Sequence, residues 1–330
     1  MWRFIKTAEL TRSEHIKKET TMKNVNYILS AMVALSMVFT GCSSDENLSG
    51  ADPDGRVALQ VSSGIQTRAV NNQWETGDVI GVFMLHGEEV ESFARNVPYR
   101  TEDNGTQGTF KPDRQQGGLD IFLPTDGSSR DFMTYYPWLR ALDTQINIYP
   151  IDLTNQTDQS AIDFMVADKV TGKNRLDNQA AFVFRHKLSK LILHIKPGAD
   201  VSEQQLKGVV AKITNQPAKG TFDILNGTDV IPDQAETKVD LVLATNSEGT
   251  YAEGIVFPSE AYTDMYLKFN TKDIGTYEWS LEESQANPKK FVAGHKYIYN
   301  ITVNKTQILV DATIEDWQPG NGEGEHVNAE

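Results

Sequence analysis

From Arg56 onward, apolar residues recur at every second position, the period of a half-buried strand. Val57, Leu59 and Val61 alternate with Ala58 and Gln60. Residues 79–85 (VIGVFML) form a near-continuous apolar run after a Gly77-Asp78 turn, as expected of a strand covered on both faces. Further strands are predicted over 119–123, 132–136, 146–151, 180–184, 191–195, 208–213, 239–243, 254–257, 265–269, 277–281, 297–303 and 307–314. Asn104-Gly105, Pro197-Gly198, Asn226-Gly227 and Glu248-Gly249 supply turn chemistry between many of them. Helical periodicity is confined to 202–210 (SEQQLKGVV), enough for a turn or two. Short strands at this spacing, without βαβ alternation, predict an all-β chain of antiparallel β-sandwiches.

The apolar phase shifts once inside 180–198. Phe182, Phe184, His186 and Leu188 share one phase, and Leu191, Leu193 and Ile195 share the other. Such a slip marks a bulge or a handover between sheets. It sets the expected boundary near Arg185, between an N-terminal sandwich at 56–185 and a C-terminal sandwich with a polar tail at 186–330.

The N-terminal region changes where this chain is expected to work. Residues 26–39 are the only long apolar stretch, too short to span a bilayer comfortably and of the size of a signal-peptide core. Lys23 precedes it, and the more polar residues 1–21 suggest Met22 as the start of translation. Cys42, the single cysteine of 330 residues, follows in Phe39-Thr40-Gly41-Cys42. This resembles the lipobox of bacterial lipoproteins, whose cysteine is acylated (palmitate) and becomes the new N-terminus. Residues 1–41 are then leader, and 42–55 a Gly-, Pro- and Asp-rich tether.

Composition removes several classes of function. A net charge of −14 speaks against a nucleic-acid surface. One cysteine excludes an internal disulfide and a cysteine-rich zinc site. Phosphate-loop, G-x-S-x-G and H-E-x-x-H motifs are absent, and no two of the histidines after the leader stand four apart. His186, on an apolar strand phase, reads as a buried, hydrogen-bonded residue. Glu88/Glu89 and Glu282/Glu283 are neighbours on polar turns, which supplies no separation across a cleft. Tyr135-Tyr136-Pro137-Trp138 fits either a core edge or a glycan-binding face. No catalytic residue, metal site or cofactor is expected.

Four segments carry a wider resemblance: TRAVNNQWETGDVIGVFM (67–84), FMTYYPW (132–138), FRHKLSKLILHI (184–195) and YIYNITVNKTQILVDATIEDW (297–317). In this order they resemble the fimbrillin family, subunits and related lipoproteins of Bacteroidales-type (type V) pili. The resemblance implies two tandem transthyretin-like β-sandwich domains after a lipoprotein signal peptide. It also implies a cell-surface fimbrial subunit serving adhesion, carried to the outer membrane by the lipid on Cys42. A trypsin-like or Arg-specific protease would cut at Arg68–Ala69. The first strand, around Val57, Leu59 and Val61, would then leave a groove for a strand of another pilus subunit. Ile308, Val310, Ala312 and Ile314 form the candidate donor strand, although the same segment could close its own sandwich. The tail at 319–330 is polar and Gly-rich, so tip, accessory, stalk and anchor roles all stay open. Without cleavage, Cys42 would be the permanent anchor of a surface lipoprotein, an anchor or glycan-binding module that does not polymerise.

Overall fold

The computed structural model describes residues 54–65, 73–143, 147–285 and 287–316. Cys42, the Arg68–Ala69 bond and the C-terminal tail lie outside them.

The first ten strands are β1 (Gln60–Ile65), β2 (Val79–His86), β3 (Glu89–Val90), β4 (Val97–Thr101), β5 (Gln107–Pro112), β6 (Arg130–Tyr136), β7 (Ile148–Asp152), β8 (Met165–Ala167), β9 (Val170–Lys173) and β10 (Gln179–His186). Seven of them close on themselves in the order β2-β4-β5-β1-β10-β8-β6, because β6 pairs with both β8 and β2. The N-terminal strands are therefore a closed barrel, where two open sandwich sheets were expected. The ladder is not wholly antiparallel either: β1 runs parallel to β10, from Gln60 opposite Gln179 to Ile65 opposite Phe184. A parallel pair needs a long crossover, and here the crossover is the rest of the barrel.

The barrel explains the unbroken apolar run of β2. Ile80, Val82 and Met84 fill its interior with Trp74, Phe110, Phe132, Phe182 and Phe184. Phe83 and Leu85 point the other way, into a second core built mainly by the C-terminal strands. Gly81 stands at the closure, where an added Cβ would meet the Tyr135 ring and the Asn96 amide.

The remaining strands are β11 (Ser189–Pro197), β12 (Val210–Gln216), β13 (Lys219–Asp223), β14 (Ile231–Pro232), β15 (Val239–Val242), β16 (Ala244–Thr245), β17 (Tyr251–Val256), β18 (Tyr266–Thr271), β19 (Gly275–Ser280), β20 (His295–Val303) and β21 (Ile308–Asp316). They form a five-stranded sheet, β16-β17-β11-β20-β21, and a four-stranded sheet, β15-β12-β18-β19. Again one pair, β11 with β20, is parallel. Two short helices, α1 (Gln159–Ile162) and α2 (Glu203–Leu206), accompany the strands. A Ser202–Gln205 capping box starts α2. Gly249, at φ +72° in the turn before β17, lies against the Leu206 carbonyl, where a side chain could not fit.

The phase slip is where the chain changes sheet. β10 alternates strictly between exposed and buried positions up to His186, and β11 begins at Ser189 in the five-stranded sheet. One strand from the N-terminal half goes elsewhere: β7 pairs with β13, which also pairs with β14. The Gln156 side chain extends this link by bonding both backbone groups of Ile255. Residues 119–123, expected as a strand, contribute only an isolated bridge from Phe122 to Ala58.

Candidate functional site

The segment from Val57 to Ile65 occupies a slot through the barrel. Its first part bonds to residues 121–123: the Leu59 amide donates to the Ile121 carbonyl and the Leu123 amide to the Val57 carbonyl. Its second part, β1, lies between β5 and β10 and is paired on both sides. Val57, Leu59, Val61 and Ser63 point inward and are buried, whereas Gln60 and Ser62 face solvent. The predicted alternation is therefore correct, and it continues one step further, to Ser63. That hydroxyl is the weak point of the strand, because its Oγ is buried without a hydrogen-bond partner.

Trp74 is anchored by partners outside β1. Trp74 is buried edge-on to Phe110, Tyr136 and Phe184, with ring centroids 5.0, 5.5 and 5.2 Å away. Its backbone exchanges two hydrogen bonds with Gly105, of 2.7 and 2.9 Å. Residues 66–72 thus connect two positions fixed in the same barrel.

At the other end of the described chain, β21 is an edge strand, bonded to β20 along one side only. Ile308, Val310, Ala312 and Ile314 lean on the second core but are only partly buried, and Leu309 on the opposite face is 54% exposed. The structure thus places the candidate donor residues on a self-paired edge. It does not bring them near enough to the β1 slot to pair there.

Between the barrel and β11 lies a polar layer that sequence reasoning anticipated only at His186. His186 Nδ1 and Asp163 Oδ1 are 2.6 Å apart and buried. Lys190 and Glu253 make an ion pair of 2.8 Å with side chains 2% and 9% exposed, and the Tyr251 hydroxyl donates to the same Glu253 oxygen. Tyr136 donates to Asp78 Oδ1 at 3.0 Å. Burial raises the Asp78 carboxyl above the ordinary aspartate range, against the opposing hydrogen bonds from Glu75 and Tyr136. Burial, reinforced by the Asp78 charge, pushes the Tyr136 phenol up as well. Asp78, Tyr136, Gln159, Asp163 and Lys190 border a cavity of only about 50 Å³. A space that size holds no substrate.

The other candidates resolve into packing or surface. Tyr135 and Tyr136 are buried, which selects the core-edge reading of the aromatic cluster. Glu88, on a turn, and Glu89, at the start of β3, are both exposed. Among the described residues, no group of three or more His, Cys, Asp or Glu side chains could hold a metal ion. No described helix is long and apolar enough to cross a membrane.

Residues 67–317 match the fimbrillin-like family. The chain belongs to that family. It is 39% identical over 308 residues to Fim1C of Bacteroides uniformis, named as a candidate fimbrium subunit, covering 92% of this chain and 98% of the relative. A crystal structure of a candidate cell-adhesion protein from Bacteroides uniformis superposes with a TM-score of 0.73 at 37% identity. That match covers 81% of this chain and all of that one. A second such protein, from Bacteroides ovatus, shares the fold at 20% identity and a TM-score of 0.62, over 81% of this chain and 99% of its own. As a fimbrillin-like chain the protein is structural and is not an enzyme.

Proposed function

We propose that this fimbrillin-like chain is a surface fimbrial subunit serving adhesion, exported as a lipoprotein through Cys42 and assembled by protease-triggered strand exchange. Residues 56–185 and 186–330 would be its two tandem, transthyretin-like units, the first closed into a barrel and linked to the second through β7. The observation that carries the reading is the position of β1. A strand paired on both sides ends three residues before Arg68, and Trp74, six residues after it, is independently anchored.

A cut at Arg68–Ala69 would thus free β1 without loosening the rest of the barrel. Its loss would expose the backbone groups of β5 and β10 and the pockets of Val57, Leu59 and Val61. Each fully buried apolar side chain of this size contributes roughly 1.5–3 kcal/mol, so β1 stays until another strand takes its place. An incoming strand with the same alternation restores both the ladder and the pockets, the logic of β-strand addition. Partners are then other subunits, a trypsin-like or Arg-specific protease and, before cleavage, the outer membrane.

The test is limited digestion of the acylated chain with a trypsin-like protease, reading the new N-terminus by mass spectrometry and assembly by size-exclusion chromatography. The expected result is Ala69 as the new N-terminus, followed by oligomers, and neither product from Arg68→Ala. An uncut wild-type chain that stays monomeric would sink the proposal and favour a permanently anchored lipoprotein.

A further inference from the structure

We infer that the turn between β9 and β10 is a register clamp for the strand in the slot, and that its matching occupant is segment 306–314 of a second copy of this chain. The inference rests on the strand-exchange reading above and adds the alignment of the incoming strand.

The clamp has two side chains. Arg175 Nη2 donates to the Gly55 carbonyl at 2.9 Å, and its Nη1 donates to the Thr125 carbonyl at 3.1 Å. Asn178 Nδ2 donates to the Ala58 carbonyl at 2.7 Å, while the Asn178 carbonyl accepts from the Gln60 amide at 2.9 Å. Every bond to the resident segment goes to its backbone, so the clamp reads carbonyl spacing and not side-chain identity. It lies beyond the first rung of the β1–β10 ladder, at Gln60 and Gln179, and fixes where an occupant begins. Asn178 is buried. With the resident strand in place its amide is paired to the Ala58 carbonyl.

One alignment sets all four donor residues on the buried positions 57, 59, 61 and 63, whereas a shift of two residues would put the Thr306 hydroxyl in the pocket of Val57. With the direction of β1 kept, Ile308, Val310, Ala312 and Ile314 replace Val57, Leu59, Val61 and Ser63 in turn. Thr306 then offers its carbonyl to Arg175 and Leu309 offers its own to Asn178, while the Asp311 amide meets the Asn178 carbonyl. There is no proline from 304 to 316 to remove a needed donor. Leu309, Asp311 and Thr313, exposed on β21, would remain on the outward face. The last pocket gives exchange a direction. Ser63 buries an unsatisfied hydroxyl there, and Ile314 would bring no polar atom.

The experiment uses the full chain cut after Arg68 and two fluorescent peptides, 304–316 and 307–316, with fragment release followed by mass spectrometry. The longer peptide is expected to displace the N-terminal fragment, and loss of the Thr306 carbonyl should weaken binding about tenfold. On Arg175→Ala the two peptides should bind alike, and Arg175→Lys should restore part of the difference. A fragment carrying Ser63→Ile should leave more slowly. Equal binding of both peptides to the wild-type chain would overturn the register while leaving exchange intact; this arm needs no variant to fold. Failure of either peptide to bind any cut chain would instead overturn strand exchange itself.

Discussion

Two side-chain arrangements decide how the barrel meets the second core, and each makes a measurable prediction. Lys190 and Glu253 are buried as a pair, so removing one partner strands the other charge away from water. Lys190→Met should destabilise the chain by about 3–5 kcal/mol in urea unfolding, and Lys190→Met with Glu253→Gln should recover most of that loss. The glutamine still accepts from the Tyr251 hydroxyl. Asp78 acts through pH. Its folded pKa is raised by burial, so its contribution to stability is fully present below the unfolded aspartate pKa and is lost as pH rises through the folded value. Thermal melts across roughly pH 3–7 should show the wild-type chain losing stability relative to Asp78→Asn as pH increases. A constant offset between the two would show that Asp78 does not titrate in this way.

At the scale of elements, barrel closure depends on how closely β2 approaches β6. Gly81 pairs directly with Tyr135, and the phenol ring occupies the space a methyl would need. Gly81→Ala should therefore cost about 1–3 kcal/mol through overpacking, with the Tyr135–Asn96 hydrogen bond of 2.7 Å the first contact disturbed. An unchanged unfolding midpoint would show that the ring can give way. The local part of this architecture was legible in the sequence. A near-continuous apolar run located β2, short β-type runs located β6, β20 and β21, and the phase slip located the step from β10 to β11. Pairing partners were less legible, because periodicity reports which face of a strand is buried and not which strand lies beside it. Hence the parallel β1–β10 and β11–β20 pairs, the closed barrel and the union of β7 with β13 went unread. β5 (QGTFKP), with a glycine and a proline in six residues, gave too weak an alternation to be noticed. Of the slot, Val57, Leu59 and Val61 were visible as alternating positions. Arg175 and Asn178 were not, since their role lies in bonds to carbonyls about 120 residues earlier.

For the whole molecule, assembly by strand exchange requires each subunit to accept at one end and donate at the other, and a single substitution should separate the two. In its own sheet Val310 sits on an edge and is partly exposed. A lysine there can carry its ammonium to water along the open side of β21. In the register inferred above, the same residue takes the place of Leu59, which is 6% exposed within the barrel core. A lysine in that pocket would bury an unpaired charge. Val310→Lys should therefore fold, lower the melting temperature only slightly, and be cut after Arg68 like the wild-type chain. It should accept the 304–316 peptide yet fail to polymerise alone. Mixed with wild-type subunits, it should shorten the polymers, because every chain that incorporates it as an acceptor lacks a usable donor. Electron microscopy of mixtures at increasing ratios measures this directly. Wild-type polymer lengths at every ratio would show that β21 is not the donated strand, whatever fills the slot.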